Sequence, residues 1–160
     1  MDRRALGVLK RVVVVGCAGA GKTTLAAALA TRLGVPHVER DALGSDEFRA
    51  AVAEAVALDG WVFDGAPYYV EDVVYRRAES VVALDYPRRV VMRRVVRRAL
   101  LRPDARSWRD PHHPVRWAWS VWAERRREIA DLERRPELAS AQLIRLSSPA
   151  AARRWLETVQ

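Results

Sequence analysis

The chain has 160 residues, half of them hydrophobic, and its 28 lysines and arginines against 20 aspartates and glutamates give a formal net charge of +8. This length predicts one domain with a substantial core, and no apolar run is long enough to cross a membrane. The basic N-terminus lacks the apolar segment of a secretory leader, and the single cysteine, Cys17, excludes an internal disulfide, so we expect a cytoplasmic protein. Lys10 and Lys22 are the only lysines. The arginine-based charge favours partners that carry phosphate.

The first predicted elements are a strand, a glycine-rich loop and a helix. Residues 11–15 form a β-branched run typical of a buried parallel strand, and residues 24–33 read as a helix ended by Gly34. Between them, residues 16–23 read GCAGAGKT and match the phosphate-binding pattern G-x-x-x-x-G-K-[ST]. The glycines let backbone N–H groups face a polyphosphate, and the helix N-terminus adds partial positive charge. The sequence therefore predicts a nucleoside triphosphate site.

Each residue type in this loop has an expected role. Lys22 is expected to reach the β- and γ-phosphates, and the Thr23 hydroxyl is expected to ligate Mg²⁺. Cys17 is either a small side chain at a variable position or an oxidation-sensitive thiol. The residues expected to contact ATP are Gly16, Gly19, Ala20, Gly21, Lys22, Thr23 and Thr24.

Four further strands are predicted downstream, at residues 36–40, 61–64, 80–85 and 142–146. Helical patterns separate them. One begins at residues 45–47 with Phe48, Val52, Ala55 and Val56 at helical spacing, and another starts at Ser148. This alternation predicts the α/β three-layer fold of P-loop NTPases, with a five-stranded parallel sheet and helices on both faces.

Residues 87–135 differ in kind from the rest. Residues 88–101 form an amphipathic helix with arginine pairs one turn apart, and three prolines then break the chain before a second helix. The arginine pairs are Arg93, Arg94, Arg97 and Arg98; the second helix carries Val115, Trp119, Trp122, Ile129 and Leu132 on one face. We expect a single domain, 1–160, with its core at about 8–86 and 140–160 and an arginine-rich helical lid at about 87–135. The arginines either clamp phosphate or form a solvated face.

Three carboxylates follow strands. Asp64 ends the third strand, where it could hold Mg²⁺ through water or accept a proton from a substrate hydroxyl, and Asp85 after the fourth strand is its rival. Asp41 follows the second strand at the sheet edge where open α/β folds bind ligands. It is either a substrate-orienting carboxylate or a helix cap.

Taken together, these segments resemble the adenylate-kinase-like small P-loop kinases. The phosphate loop, Arg40-Asp41 and residues 61–68 carry this resemblance, and residues 59–65 with the arginine-rich helix are similar to the bacterial topology modulation proteins. The resemblance implies ATP and Mg²⁺ as cofactors and places the functional aspartate on the third strand. The chain departs from adenylate kinases at Tyr68, where an arginine expected to hold substrate phosphate is missing.

The resulting prediction is an Mg²⁺- and ATP-dependent kinase that acts on a nucleotide or another small hydroxylated or phosphorylated metabolite. The expected catalytic residues are Lys22, Asp64, Asp41, Arg93 and Arg97; the expected acceptor-binding residues are Asp41, Gly65, Tyr68, Arg94 and Arg98; and Thr23 with Asp64 would hold the metal. The alternative is an ATP-responsive, nucleic-acid-associated P-loop protein whose arginines and tryptophans grip a phosphate backbone. Positive charge focused in a pocket would favour the kinase, and a broad outer stripe would favour nucleic acid.

Overall fold

The structure, a computed structural model, describes residues 9–39, 48–101 and 109–159. It contains one sheet of five parallel strands in the order β2-β3-β1-β4-β5. The strands are β1 (Arg11–Gly16), β2 (His37–Glu39), β3 (Trp61–Asp64), β4 (Ser80–Leu84) and β5 (Gln142–Leu146). The predicted sheet is confirmed. Its central strand, β1, leads directly into the glycine-rich loop.

Six α-helices lie in the described ranges: α1 (Lys22–Leu33), α2 (Phe48–Ala55), α3 (Glu71–Val74), α4 (Arg88–Leu101), α5 (Pro114–Asp131) and α6 (Pro149–Thr158). Short 3₁₀ turns occupy Tyr75–Arg77, Leu132–Arg134 and Pro136–Leu138. Gly34 ends α1 in the left-handed conformation, with φ of 66°, and Ser148 begins α6 by accepting a hydrogen bond of 3.1 Å from the Ala151 N–H. The short helix α3 had not been predicted.

The alternation of side chains along β1 divides the core into two layers. Val12 and Val14 pack with residues of α1, α4 and α6 on one face of the sheet, whereas Val13 and Val15 pack with residues of α2 and α5 on the other. All four valines are at most 4% exposed. The sheet is therefore covered by helices on both faces, as the sequence predicted.

The two helices of the predicted lid, α4 and α5, contribute to these core layers. Val91 and Val95 of α4 are buried in one layer, and Ile129 of α5 is buried in the other. The predicted boundary between core and lid, near residue 87, therefore lies within a packed part of the structure. Motion of residues 87–135 stays a prediction. Residues 102–108, in the middle of that segment, lie outside the described residues, as does Asp41.

Helix α5 corrects one part of the burial prediction. The sequence pattern places Trp119 on the apolar face, but this residue is 54% exposed, and Trp117 on the same helix is 43% exposed. Only part of α5 lies against the body, and Arg88 stacks over Trp119 with its guanidinium carbon 3.5 Å from the ring centroid. Within the described ranges, no helix combines the length and the hydrophobicity needed to cross a membrane.

Candidate active site

The loop between β1 and α1 has the geometry that phosphate binding requires. Gly21 precedes α1 with φ of 93° and Gly19 has φ of 81°, conformations that favour glycine. A Cβ atom on Gly19 would lie only 2.3 Å from a methyl carbon of Val95, so α4 packs directly against the loop. The Lys22 ammonium donates a hydrogen bond of 3.3 Å to the carbonyl of Cys17, which places it across the loop.

Arg94 supports this loop from behind. Its Nη1 atom donates a hydrogen bond of 2.6 Å to the carbonyl of Ala20 and lies 3.1 Å from the position that a Cβ on Gly21 would take. By binding the carbonyl of Ala20, Arg94 favours the loop conformation in which the N–H groups turn toward the phosphate site. The structure thus places Arg94 against the phosphate loop rather than in an acceptor pocket. Arg94, Arg93, Arg97 and Arg98 are all exposed on α4.

Replacing Arg94 by alanine should raise the KM for ATP about tenfold, with a smaller effect on kcat, because a charge-assisted hydrogen bond that orders the loop is lost. Steady-state kinetics at varied ATP concentration measure the effect. Arg89→Ala, an exposed arginine on the first turn of the same helix, is the matched control. An unchanged KM for ATP in the Arg94 variant would contradict this role.

Two carboxylates flank the loop at the carboxyl ends of its neighbouring strands. Asp64 ends β3, is only 8% exposed, and pairs in register with Val14 of β1. Its Oδ2 atom lies 3.7 Å from Nε2 of His37, a buried nitrogen that has no hydrogen-bond partner in the part of the chain described. Asp85 follows β4 and accepts a hydrogen bond of 3.2 Å from Nε of Arg126. The burial of Asp64 beside the loop and the surface pairing of Asp85 both favour Asp64 as the functional carboxylate.

A small, partly open pocket lies beside the first residue of the phosphate loop. Gly16 forms one edge of this pocket, and residues 66–68, which follow β3 and Gly65, form a second wall. The remaining sides are closed by Glu71 of α3, Arg125 of α5 and Arg135, which follows the 3₁₀ turn Leu132–Arg134. The pocket lies where an acceptor could approach a phosphate held by the loop, and Tyr68 lines it.

A closed polar cluster lies in this pocket. The Tyr68 hydroxyl donates a hydrogen bond of 2.6 Å to Oε2 of Glu128. Arg125 Nη1 donates to the Tyr68 oxygen and to both oxygens of Glu128, at 2.6 and 2.7 Å for the carboxylate. Burial and the bond to Glu128 raise the pKa of Tyr68, so the phenol stays protonated near neutral pH. Together, these three residues form a rigid wall with no net charge.

Relatives of known function share this architecture. A family model described as an AAA domain matches residues 11–59. Shikimate kinase 2 of Yersinia enterocolitica is 32% identical over 138 residues, which span 83% of this chain and 72% of that protein. The chain belongs to the shikimate kinase family.

Solved structures agree with this assignment at the level of the fold. The shikimate kinase of Acinetobacter baumannii in complex with shikimate matches with a TM-score of 0.56 and 20% identity, over 99% of this chain and 94% of that one. A gluconokinase of Sinorhizobium meliloti matches with a TM-score of 0.55 and 18% identity, over 95% and 96% of the two chains. The protein is an ATP-dependent small-molecule kinase, and its resemblance to small P-loop kinases is confirmed.

Several residues of this kinase site were missed by the sequence analysis, which placed the functional arginines on α4. The missed residues are His37, Glu71, Tyr75, Arg125, Glu128 and Arg135. The spacing of Arg125 and Glu128 on one face of α5 was visible as a helical ion pair. Nothing in the sequence linked that pair to Tyr68, which lies 60 positions before Glu128.

Cys17 has the environment of a structural cysteine. Its side chain is buried, at 3% exposure. Burial raises the pKa of the Cys17 thiol, and the nearby Lys22 ammonium opposes this only in part. This environment favours the small-side-chain interpretation over a reactive thiol.

We expect native Cys17 to react with iodoacetamide at pH 8 at least about tenfold more slowly than the same cysteine in urea-unfolded protein. A raised pKa lowers the thiolate fraction at any pH below it, so alkylation of the native thiol should accelerate only at more alkaline pH. Mass spectrometry of timed samples gives both rates. Equal or faster alkylation of the native protein would instead support the oxidation-sensitive thiol.

Proposed function

We propose that this kinase transfers the γ-phosphoryl group of ATP to a hydroxyl of a small hydroxylated carboxylate bound between the β3 loop and α5. One observation carries the proposal: the pocket begins at Gly16, the first residue of a complete phosphate loop. An acceptor in that pocket would sit beside the bound triphosphate, and proximity of this kind supplies much of the acceleration in phosphoryl transfer.

The residues of the loop and of β3 would divide the chemistry between them. Lys22 would bind the β- and γ-phosphates and neutralise charge that develops during transfer. Asp64, or Asp41 from outside the described residues, would orient the acceptor hydroxyl and accept its proton.

The residues present also fit Mg²⁺. Asp64 has a buried carboxylate that accepts no side-chain hydrogen bond from the described residues, and the Thr23 hydroxyl lies at the start of α1. Oxygen ligands of this kind suit magnesium, which would neutralise phosphate charge when bound.

The charges in the pocket favour a small acid over a nucleotide acceptor. Its ionisable walls are Arg125 and Arg135 against Glu71 and Glu128, a balance that offers little to a doubly charged phosphate. Arg135, which makes no ion pair with another described residue, is the cation available to an acceptor carboxylate. Shikimate, the acid named for the Yersinia and Acinetobacter relatives, is therefore a first compound to test.

Three expectations from the sequence stay predictions. They are a closer relationship to the topology modulation proteins, a location in the cytoplasm and an association with nucleic acid. The exposed Arg93, Arg97 and Arg98 are compatible with phosphate contacts of either kind. The family relationship supports small-molecule phosphorylation and adds nothing to the nucleic-acid alternative.

A screen with γ-labelled ATP and Mg²⁺ tests the proposed function. Nucleosides, nucleotides, sugars and small hydroxylated acids, including shikimate, serve as acceptors, and the labelled product is detected after separation from ATP and free phosphate. The matched control is Lys22→Ala protein. Product from a hydroxylated acid would support the proposal, whereas product only from nucleotides, or ATP hydrolysis without transfer to any acceptor, would contradict it.

Residues 93–114 should gain amide protection when a non-hydrolysable ATP analogue and an acceptor are added together. Arginines on α4 repel one another until phosphate arrives, and each new charge-assisted contact stabilises a closed arrangement. Hydrogen exchange followed by mass spectrometry measures the change, with the buried strand β1 as the internal reference. Equal protection with and without ligands would remove the lid hypothesis and leave the arginines as a solvated face.

A further inference from the structure

One wall of the acceptor pocket carries three polar groups that the protein itself does not satisfy. Glu71 of α3, Tyr75 of the following 3₁₀ turn and Arg135 all line the pocket. Among the described residues, none of the three has a side-chain hydrogen bond or an ion pair, and the two opposite charges do not pair with each other. The Arg135 guanidinium lies 5.5 Å from the centroid of the Tyr75 ring, so these groups are neighbours.

Tyr75 is the most informative member of this wall. Tyr75 is only 3% exposed and lines the pocket, and its hydroxyl has no hydrogen-bond partner in the described structure. Burial raises the pKa of Tyr75 to about 12, so the hydroxyl stays protonated and neutral at physiological pH. The hydroxyl therefore keeps a hydrogen-bond donor free at the pocket, where a ligand group can accept from it.

The neighbouring wall makes the contrast clear. There, Arg125, Glu128 and Tyr68 satisfy one another through short hydrogen bonds. That wall contributes its shape and an ion pair whose charges already bind each other. The wall formed by Glu71 and Arg135 instead presents one negative and one positive group that can each bind a charged group of a ligand. A ligand that fits this second wall must bring charges of both signs.

We propose that the acceptor is a hydroxylated zwitterion, a small hydroxy amino acid whose carboxylate is bound by Arg135 and whose ammonium is bound by Glu71. This inference rests on the proposed function, since it names the class of acceptor for the same pocket. The Tyr75 hydroxyl lies beside both charged groups and bonds to the carboxylate. The side-chain hydroxyl of the acceptor then points toward Gly16 and the phosphate loop, where the phosphoryl group is received.

Acceptors of other classes leave a charge of the wall unpaired. A simple hydroxy acid such as shikimate would pair Arg135 but bury Glu71 without a cation, and an amino alcohol would do the reverse. Leaving a charged group unpaired discriminates strongly between acceptors, because a charge-assisted hydrogen bond is lost and the charged group is still desolvated when the acceptor binds. A neutral sugar would satisfy neither charge.

The test is a matched acceptor panel assayed with labelled ATP and Mg²⁺. L-Serine, L-threonine and L-homoserine represent the zwitterions, glycerate, 4-hydroxybutyrate and shikimate lack the ammonium, and ethanolamine and 3-aminopropanol lack the carboxylate. At least one zwitterion should have a kcat/KM about tenfold or more above those of its two partial analogues. A hydroxy acid without an ammonium that performs as well as the best zwitterion would overturn the inference and leave the proposed kinase intact.

Two variants assign the charges separately. Glu71→Gln should raise the KM for the zwitterion about tenfold but lower that for its ammonium-free analogue, which no longer leaves a carboxylate unpaired. Arg135→Gln should raise the KM of acceptors with a carboxylate and lower that of the amino alcohols. The matched controls are Glu133→Gln and Arg134→Gln, exposed neighbours that do not line the pocket. Equal KM values for the zwitterion in wild-type protein and in both pocket variants would overturn the assignment.

Binding without turnover separates this inference from the proposed function. Equilibrium dialysis of radiolabelled L-homoserine, L-serine and L-threonine against Lys22→Ala protein measures acceptor binding when transfer is disabled. Saturable binding that is weakened by adding Glu71→Gln supports the inference even if no acceptor is phosphorylated, in which case the kinase proposal alone fails. Absence of both binding and product for all three zwitterions overturns the inference.

Discussion

Lys22→Ala protein should lose ATP-dependent transfer almost completely, with kcat/KM reduced by about 10³-fold or more, while the fold stays intact. The lysine lies at the end of a complete phosphate loop, and its ammonium donates a hydrogen bond of 3.3 Å to the Cys17 carbonyl. A cation on the β- and γ-phosphates acts mainly in the transition state, when charge moves between oxygens. Product formation under saturating ATP and acceptor measures the loss.

Lys10→Ala is the natural control, since Lys10 is the only other lysine and is exposed just before β1. Thermal unfolding of both variants checks that the fold is preserved. Retained turnover and nucleotide affinity in a well-folded Lys22→Ala protein would count decisively against the assignment of this loop.

Asp64→Asn should reduce kcat about a hundredfold more than Asp85→Asn does. Asp64 is buried at the end of β3, level with Val14 and just ahead of the loop that lines the acceptor pocket. Asp85 instead forms a partly exposed ion pair with Arg126, and such pairs contribute little. Asparagine keeps the size of the side chain but removes the charge needed for a cation or an acceptor proton.

A side-by-side measurement of kcat at saturating substrates decides between the two carboxylates. A magnesium titration of each variant adds an independent readout, because loss of a metal-linked carboxylate should raise the magnesium concentration needed for half-maximal rate. If Asp85→Asn proves the more damaging change, the metal-linked carboxylate belongs to β4 and the present assignment is wrong.

Much of the fold could be predicted because its signals are local. Runs such as Val12–Val15 can be buried on both faces only in the middle of a sheet, and alternating strands and helices force parallel connections. The bounds of β3, α4 and β5 agree with the prediction to the residue. Helix α3 was missed because four residues carry too little periodicity to be recognised.

The burial of α5 was predicted less well, since helical spacing shows which side chains share a face but not how far the body extends to cover them. Trp119 fits the apolar stripe, yet it lies beyond the packed surface and instead stacks against Arg88. Cation–π contacts between distant positions have no sequence signature.

The sequence by itself determined the nucleotide half of this site. Gly19, Gly21 and Lys22 lie within four consecutive positions, and their chemistry depends on local backbone conformation that the residues themselves impose. The acceptor half was decided only by the tertiary structure. Tyr68 and Arg125 are 57 positions apart and meet because α5 packs against the sheet next to β1. The same packing brings Glu71 and Arg135 to one pocket, and contacts between such remote positions depend on how the layers assemble.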